Sequence, residues 1–254
     1  MSLDSRIAVW RTAVEPAPLV VFSHAALQGK RSATYLCEFL AAHGYTVAAI
    51  DHAEVVEPKL GRRDGETEDE KLRRWQTIID RRVPDIRLLL DTLHASRAGI
   101  LGHSLGGWTA LAAAEADPRI ASVVALAPAG ASNPRPGVLP AMLTYVWPRD
   151  VPVLIIAAEN DTSLPLAGIR EMFEKLPTTK RMEILRRADH AHFLDNVDFA
   201  HETFRTMKVS GDLEAIQREM LPMSELQSGE AAHRIICEMT LRHFEATLTP
   251  NKKL

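Results

Sequence analysis

Short apolar, β-branched runs recur along the chain, and longer segments with helical spacing of their apolar positions follow them. The runs "PLVVFS", "TVAAID", "AGILG", "IASVVALA" and "VPVLIIAA" are largely apolar, which is the pattern of strands buried on both faces, and "RMEILR" is a further, more polar strand candidate. The helical partners include "ATYLCEFLAAHG", "DIRLLLDTLHA", "LGGWTALAAAEA", "PLAGIREMFEKL" and the closing "EAAHRIICEMTLRHFEATL". Repeated strand–helix alternation predicts an α/β fold, a mostly parallel central sheet with helices on both faces. In such sheets, ligands and chemistry collect in the loops beyond the C-terminal ends of the strands.

Two stretches interrupt the alternation. "PAGASNPRPGVLPAMLTYVWPRD", residues 128–150, is rich in Pro and Gly and then apolar. It reads either as a surface excursion with a packed tip or as a small pocket-forming insertion whose Met142, Tyr145 and Trp147 wall a substrate pocket. "EVVEPKLGRRDGETEDEKLRRW" is highly charged and reads as a solvated loop leading into a helix. No internal repeat or low-complexity tract is present.

Composition narrows the classes. With 254 residues, 46% of them hydrophobic, residues 1–254 are expected to form a single domain with a sizeable core, two small domains being the alternative. A net charge of −3, with acids and bases interspersed, offers no basic footprint for nucleic acid, so a small-molecule or protein partner is expected instead. The opening "MSLDSRIAVW" lacks a signal-peptide pattern and no run is long enough for a membrane span, so the expected location is cytoplasmic. Cys37 and Cys237 both fall in helical segments, where buried thiols are expected rather than a disulfide.

One pentapeptide changes the picture. Gly102-His103-Ser104-Leu105-Gly106 is a G-x-S-x-G between a strand and an alanine-rich helix. A nucleophile on such a tight turn needs small flanking residues, because a side chain at either glycine would crowd the turn. The helix that begins after Ser104 presents unpaired N–H groups to a developing oxyanion, and the Leu105 amide is the natural first donor. The bland alternative is a serine N-cap between glycines. His103 is assigned a packing role, since neighbours on such a turn point apart.

A serine hydroxyl needs a histidine to take its proton and a carboxylate to orient that histidine. In the order Ser, acid, His, the acid follows a strand beyond Ser104, where "VPVLIIAAENDTSLP" offers Glu159 and Asp161. The base follows the next strand, in "ADHAHF", where His190 and His192 share the same alternation parity. A metal reading of H-x-H lacks a third ligand at suitable spacing.

"GHSLGG" with its flanks resembles the nucleophile turn of the α/β-hydrolase superfamily. "PLVVFSHAALQGKRSATYLCEFLAAHGYTVAAIDH" is similar to its dienelactone-hydrolase-like, platelet-activating-factor-acetylhydrolase-like and cutinase-like serine hydrolases, and the likeness runs from about residue 18 to the last helix. It implies an α/β-hydrolase fold and a serine carboxylic-ester hydrolase that needs no cofactor. It implies Ser104, Asp161 and His190 as the triad, and Leu105 and Ala26 as oxyanion donors. The chain departs from the pattern at Ala25, where these families usually have glycine, so the loop must take a conformation that alanine tolerates. Other members place an aromatic after the histidine, which matches His192-Phe193; His192 is otherwise a pocket-lining or surface residue. Short to medium acyl esters are the expected substrates. Acyl transfer, perhydrolysis and lactone or amide cleavage use the same triad, and a non-catalytic ligand-binding member is the reading from another class.

Overall fold

The computed structural model describes residues 3–13, 16–61, 65–138 and 140–248. Residues 62–64 of the charged stretch and residue 139 of the 128–150 segment therefore lie outside the described residues. The strands are β1 (Ile7–Trp10), β2 (Leu19–Ser23), β3 (Thr46–Ile50), β4 (Ala98–His103), β5 (Ile120–Leu126), β6 (Val153–Ala158) and β7 (Lys180–Leu185). They form one sheet in the order β1-β3-β2-β4-β5-β6-β7. Every neighbouring pair is parallel except β1 with β3. The edge strand β1 is a fragment that the apolar pattern did not single out.

The helices are α1 (Leu3–Arg6), α2 (Thr34–Ala42), α3 (Ala53–Val56), α4 (Glu68–Thr92), α5 (Leu105–Ala116), α6 (Leu166–Lys175), α7 (Val197–Thr206), α8 (Asp212–Glu219) and α9 (Gly229–Thr247). Successive strand residues feed opposite faces of the sheet. Val21, Ile50, Ile100, Val123 and Ile155 pack with Ile86 and Leu89 of α4, Leu111 of α5 and Met172 of α6. Val20, Phe22, Leu101, Val124 and Ile156 pack with Leu36 and Leu40 of α2 and Ile236 and Phe244 of α9. Both faces of the central strands are covered, so those strands are mostly apolar along their whole length. Cys37 and Cys237 lie in this second layer as free, buried thiols.

Helix α4 begins well inside the charged stretch. Thr67 caps it reciprocally with Glu70, and three acids in its first turn oppose the helix dipole, so the local chemistry starts the helix before its apolar stripe does. Residues 128–150 form neither helix nor strand among those described, and they do the work of a crossover. The chain must travel from the C-terminal end of β5 to the N-terminal end of β6, because the two are parallel. Its second half descends beside α5. The Met142 carbonyl accepts from Trp108 Nε1 at 3.0 Å, and Arg149 donates to the carbonyls of Ala114, Asp117 and Ile120 at 2.5–2.8 Å.

Candidate active site

Because β2, β4, β6 and β7 run parallel, their C-terminal ends open on one edge. Ser23 pairs with Gly102, and Ala158 with Leu185, so the loops after all four strands start at matching heights. These loops carry His24–Ala26, Ser104, Asp161 and His190.

Ser104 sits between β4 and α5 with φ 58° and ψ −119°, a region that L-residues rarely occupy. The turn is held by the Ser104 amide donating to Leu126 O at 2.9 Å, and by the Ala129 amide donating to Ser104 O at 3.0 Å. Both flanking glycines are sterically required. A Cβ on Gly102 would lie 2.1 Å from Gly106 O, and one on Gly106 would lie 2.0 Å from Ser23 O. Leu105 is buried at the first position of α5, where its amide has no carbonyl one turn earlier in the helix to bond.

Asp161 is buried just after β6. Its Oδ1 accepts from the amides of Ser163 and Leu164 at 2.9 and 2.7 Å, which leaves Oδ2 facing His190 Nδ1 at 2.7 Å. Burial alone would push His190 down. The charge and hydrogen bond of Asp161, with the charge of Asp189, outweigh it and hold the imidazole above its usual value. About a fifth of the His190 side chain remains exposed, at 22%. Its ring centroid lies 4.5 Å from that of His103, the residue before Ser104. His103 itself is buried against His190 and Phe193, and burial holds it neutral.

Glu159, the alternative acid, and two further aspartates near these strands have other partners. Glu159 pairs with Arg186 at 2.6 Å and accepts from the Arg187 amide at 2.9 Å. Asp150, at the opposite edge, caps Thr178 and Thr179. Asp189 accepts from the His190 backbone rather than the ring. Burial, with the charge of Asp161, raises the Asp189 carboxyl to about 6.

The expectation of His192 as a pocket-lining residue is corrected. Residues 190–193 form a short 3₁₀ turn rather than an extended segment, so the equal parity of the two histidines no longer holds. The His192 ring is fully buried: Nδ1 accepts from the Asp189 amide at 2.9 Å, and Nε2–H donates to Gln227 O at 3.0 Å. Both nitrogens are committed to the backbone, and burial lowers the pKa. Met142, Tyr145 and Trp147 are corrected too. The crossover carries Tyr145 and Trp147 along α5 toward the opposite edge of the sheet, and Met142 is 55% exposed at its start. None of the three borders the cavity beside His190.

That cavity, about 540 Å³, is walled by residues the sequence reading left unassigned: Phe199, Phe204, Met207 and Met220, with His190 and Gln28 at its base. Phe199 is 75% exposed and Met207 45%. The amphipathic pattern of α7 was a visible signal in the sequence, but its apolar face turns to the cavity as well as to the core.

A profile of the family described as PETase, PET hydrolase-like, matches residues 16–210. The chain belongs to the PET hydrolase-like family. Among the relatives of this PET hydrolase-like chain is a cutinase of Thermobifida alba, 28% identical over 170 residues, covering 65% of this chain and 50% of that protein. A bis(hydroxyethyl) terephthalate hydrolase of Streptomyces coelicolor is 29% identical over 106 residues, covering 41% and 30% of the two chains. The chain thus spans about half the length of the cutinases it matches. In fold it is similar to a ferulic acid esterase from Streptomyces cinnamoneus, with a TM-score of 0.62 and 23% identity over 94% of this chain and 70% of that one. A dienelactone hydrolase from Anabaena variabilis aligns with a TM-score of 0.56 and 22% identity over 96% and 92%. The fold is that of the α/β hydrolases. Among the described residues, no helix is long and apolar enough to cross a membrane.

Proposed function

We propose that this PET hydrolase-like chain, as a single domain, is a serine carboxylic-ester hydrolase with Ser104 as nucleophile, His190 as base and Asp161 as the orienting acid. The observation that carries the reading is the 2.7 Å contact between His190 Nδ1 and Asp161 Oδ2. Asp161 is buried and anchored by two amides, so it fixes the proton on Nδ1 and leaves Nε2 free to accept. His190 takes the Ser104 proton, and Ser104 Oγ attacks the ester carbonyl. The Leu105 and Ala26 amides form the oxyanion hole for the tetrahedral intermediate. His190 then gives its proton to the departing alcohol, and a water activated by the same ring releases the acid.

The cavity beside His190 supports small esters with one apolar or aromatic group, seated against Phe199, Phe204 and Met207. The similarity to a cutinase and to a bis(hydroxyethyl) terephthalate hydrolase supports the same chemistry. A cytoplasmic location stays part of this proposal, supported by two unbridged cysteines. The test is labelling with a fluorophosphonate, together with turnover of aryl esters graded in acyl length. Wild type should label and Ser104→Ala should lose both label and turnover. Folded wild-type protein that neither labels nor turns over any ester would refute the reading and favour a ligand-binding role.

A further inference from the structure

Beneath the loop after β2 lies a buried polar cluster that the chemistry above does not use. Arg82, from the middle of α4, is wholly buried. A guanidinium so placed is costly unless its donors are matched; here both Nη atoms are, while Nε has no hydrogen-bond partner among the described residues. Nη1 donates to His24 O at 2.7 Å, while Nη2 donates to Ala25 O at 3.4 Å and to the Glu54 carboxylate. His24 Nδ1 donates to the same Ala25 carbonyl at 2.7 Å, and the Gln28 amide closes a turn onto it at 3.2 Å. The tautomer of His24 is fixed, because its Nε2 accepts from the His52 amide at 3.0 Å. His52 is held in turn by Ser23 Oγ at 2.9 Å and by Asp85 Oδ2 at 3.2 Å.

Three donors therefore converge on one carbonyl oxygen, that of Ala25. In a trans peptide the C=O and the following N–H point in opposite directions. Holding the Ala25 carbonyl toward α4 aims the Ala26 N–H the other way. The same loop backs onto the first turn of α5, since a Cβ on Gly106 would meet Ser23 O and His24 O. Alanine is tolerated at residue 25 because the positive φ of this turn falls on Leu27, at 58°. The loop thus relies on the clamp rather than on a glycine for its conformation.

We propose that Arg82 is a positioning residue that orients the Ala25–Ala26 peptide so that the Ala26 N–H meets the oxyanion. This rests on the ester-hydrolase reading above. The guanidinium touches neither substrate nor Ser104. Its effect belongs to the transition state, where the oxyanion forms, and not to ground-state binding.

The test compares Arg82→Lys, Arg82→Met and the double variant Arg82→Met/Glu54→Gln, with p-nitrophenyl butyrate as substrate and an aryl trifluoromethyl ketone as tetrahedral analogue. Deleting an oxyanion donor costs about 10²–10³-fold in kcat, so misaiming one is expected to cost roughly 10–100-fold with KM changed by less than about twofold. Affinity for the ketone should fall by the same factor as kcat. Lys, which keeps a charge opposite Glu54 and one directed donor, should recover part of the loss. Arg82→Met alone strands the Glu54 carboxylate and can unfold, whereas the double variant removes both charges and keeps the comparison in folded protein, checked by Tm. A folded double variant with wild-type kcat and ketone affinity overturns the proposal. So does a loss confined to KM. Ser104→Ala in the same assay separates the two claims: retained turnover there sinks the hydrolase reading, whereas a dead Ser104→Ala beside wild-type-like Arg82 variants sinks only the clamp.

Discussion

Replacing Gly106 with alanine sets a methyl carbon 2.0 Å from Ser23 O and 2.7 Å from His24 O. Ordinary contact begins near 3.4 Å, so α5 and the loop after β2 must separate by about 1.4 Å. Neither side yields easily. Ser23 is in register with Gly102 in the sheet, and the His24 carbonyl is held by Arg82. Overpacking of this kind costs about 1–3 kcal/mol, which in a domain of this size lowers Tm by roughly 2–12 °C. The functional cost is larger. A separation of about 1 Å between the Ala26 and Leu105 amides would misplace both of the proposed oxyanion donors, and misplacement on that scale costs about 10²-fold in kcat. Gly107→Ala is the graded comparison: its Cβ would lie 3.0 Å from Pro128, so a smaller loss of both quantities is expected. The measurements are Tm by calorimetry and kcat on p-nitrophenyl butyrate. Wild-type Tm and kcat in Gly106→Ala would refute the claim that α5 is wedged against the β2 loop.

His190→Ala should lower kcat by about 10³-fold or more with a smaller loss of Tm than His192→Ala, which should cost stability, about 2–4 kcal/mol, by emptying a buried site and stranding Gln227 O. Parallel calorimetry and turnover read the contrast, and the opposite pattern would exchange the two roles. Since His190 is held above its ordinary value and must be neutral to take a proton, kcat/KM should fall as pH drops, with a midpoint above 6.5. Asp161→Asn removes the raising partner while burial remains, so the residual activity, lower by about 10⁴-fold, should show that midpoint moved to lower pH; an unmoved midpoint argues against the pairing. The same pair contributes to stability through a folded-state pKa above the unfolded one. That contribution is complete below about pH 6.5 and is lost as pH rises through the raised value, which chemical denaturation across pH 5–9 would register. Phe199→Ala, at a 75% exposed position, should leave Tm nearly unchanged and raise KM for aryl esters more than for acetates; an equal effect on both would remove α7 from the substrate cavity.

Much of the molecule was readable along the chain, for reasons that are local. The five central strands announce themselves because a sheet covered on both faces needs mostly apolar residues, while the edge strand β7 shows only a part-apolar run. Ser104 is legible because its backbone conformation and its contacts with β2 force glycine at 102 and 106, leaving a signature in consecutive residues. Chain order along strand ends narrows the acid to Glu159 or Asp161 and the base to His190 or His192, and the family resemblance points to Asp161 and His190. Three things depended on residues far apart in sequence. The choice between His190 and His192 was open in an extended segment, and it is the 3₁₀ turn and the Gln227 carbonyl that draw His192 inward. The apolar tip of 128–150 looked like a pocket wall, but two parallel strands require a return path, and that path leads Tyr145 and Trp147 away from the site. The Arg82 clamp had no motif at all, because a guanidinium on α4 and two carbonyls after β2 meet only once the helix packs against the sheet. Sequence by itself determined which residues could carry the chemistry, since backbone strain and strand burial restrict residue type position by position; tertiary structure decided which of them face the cavity, since that depends on what each side chain bonds to across the fold.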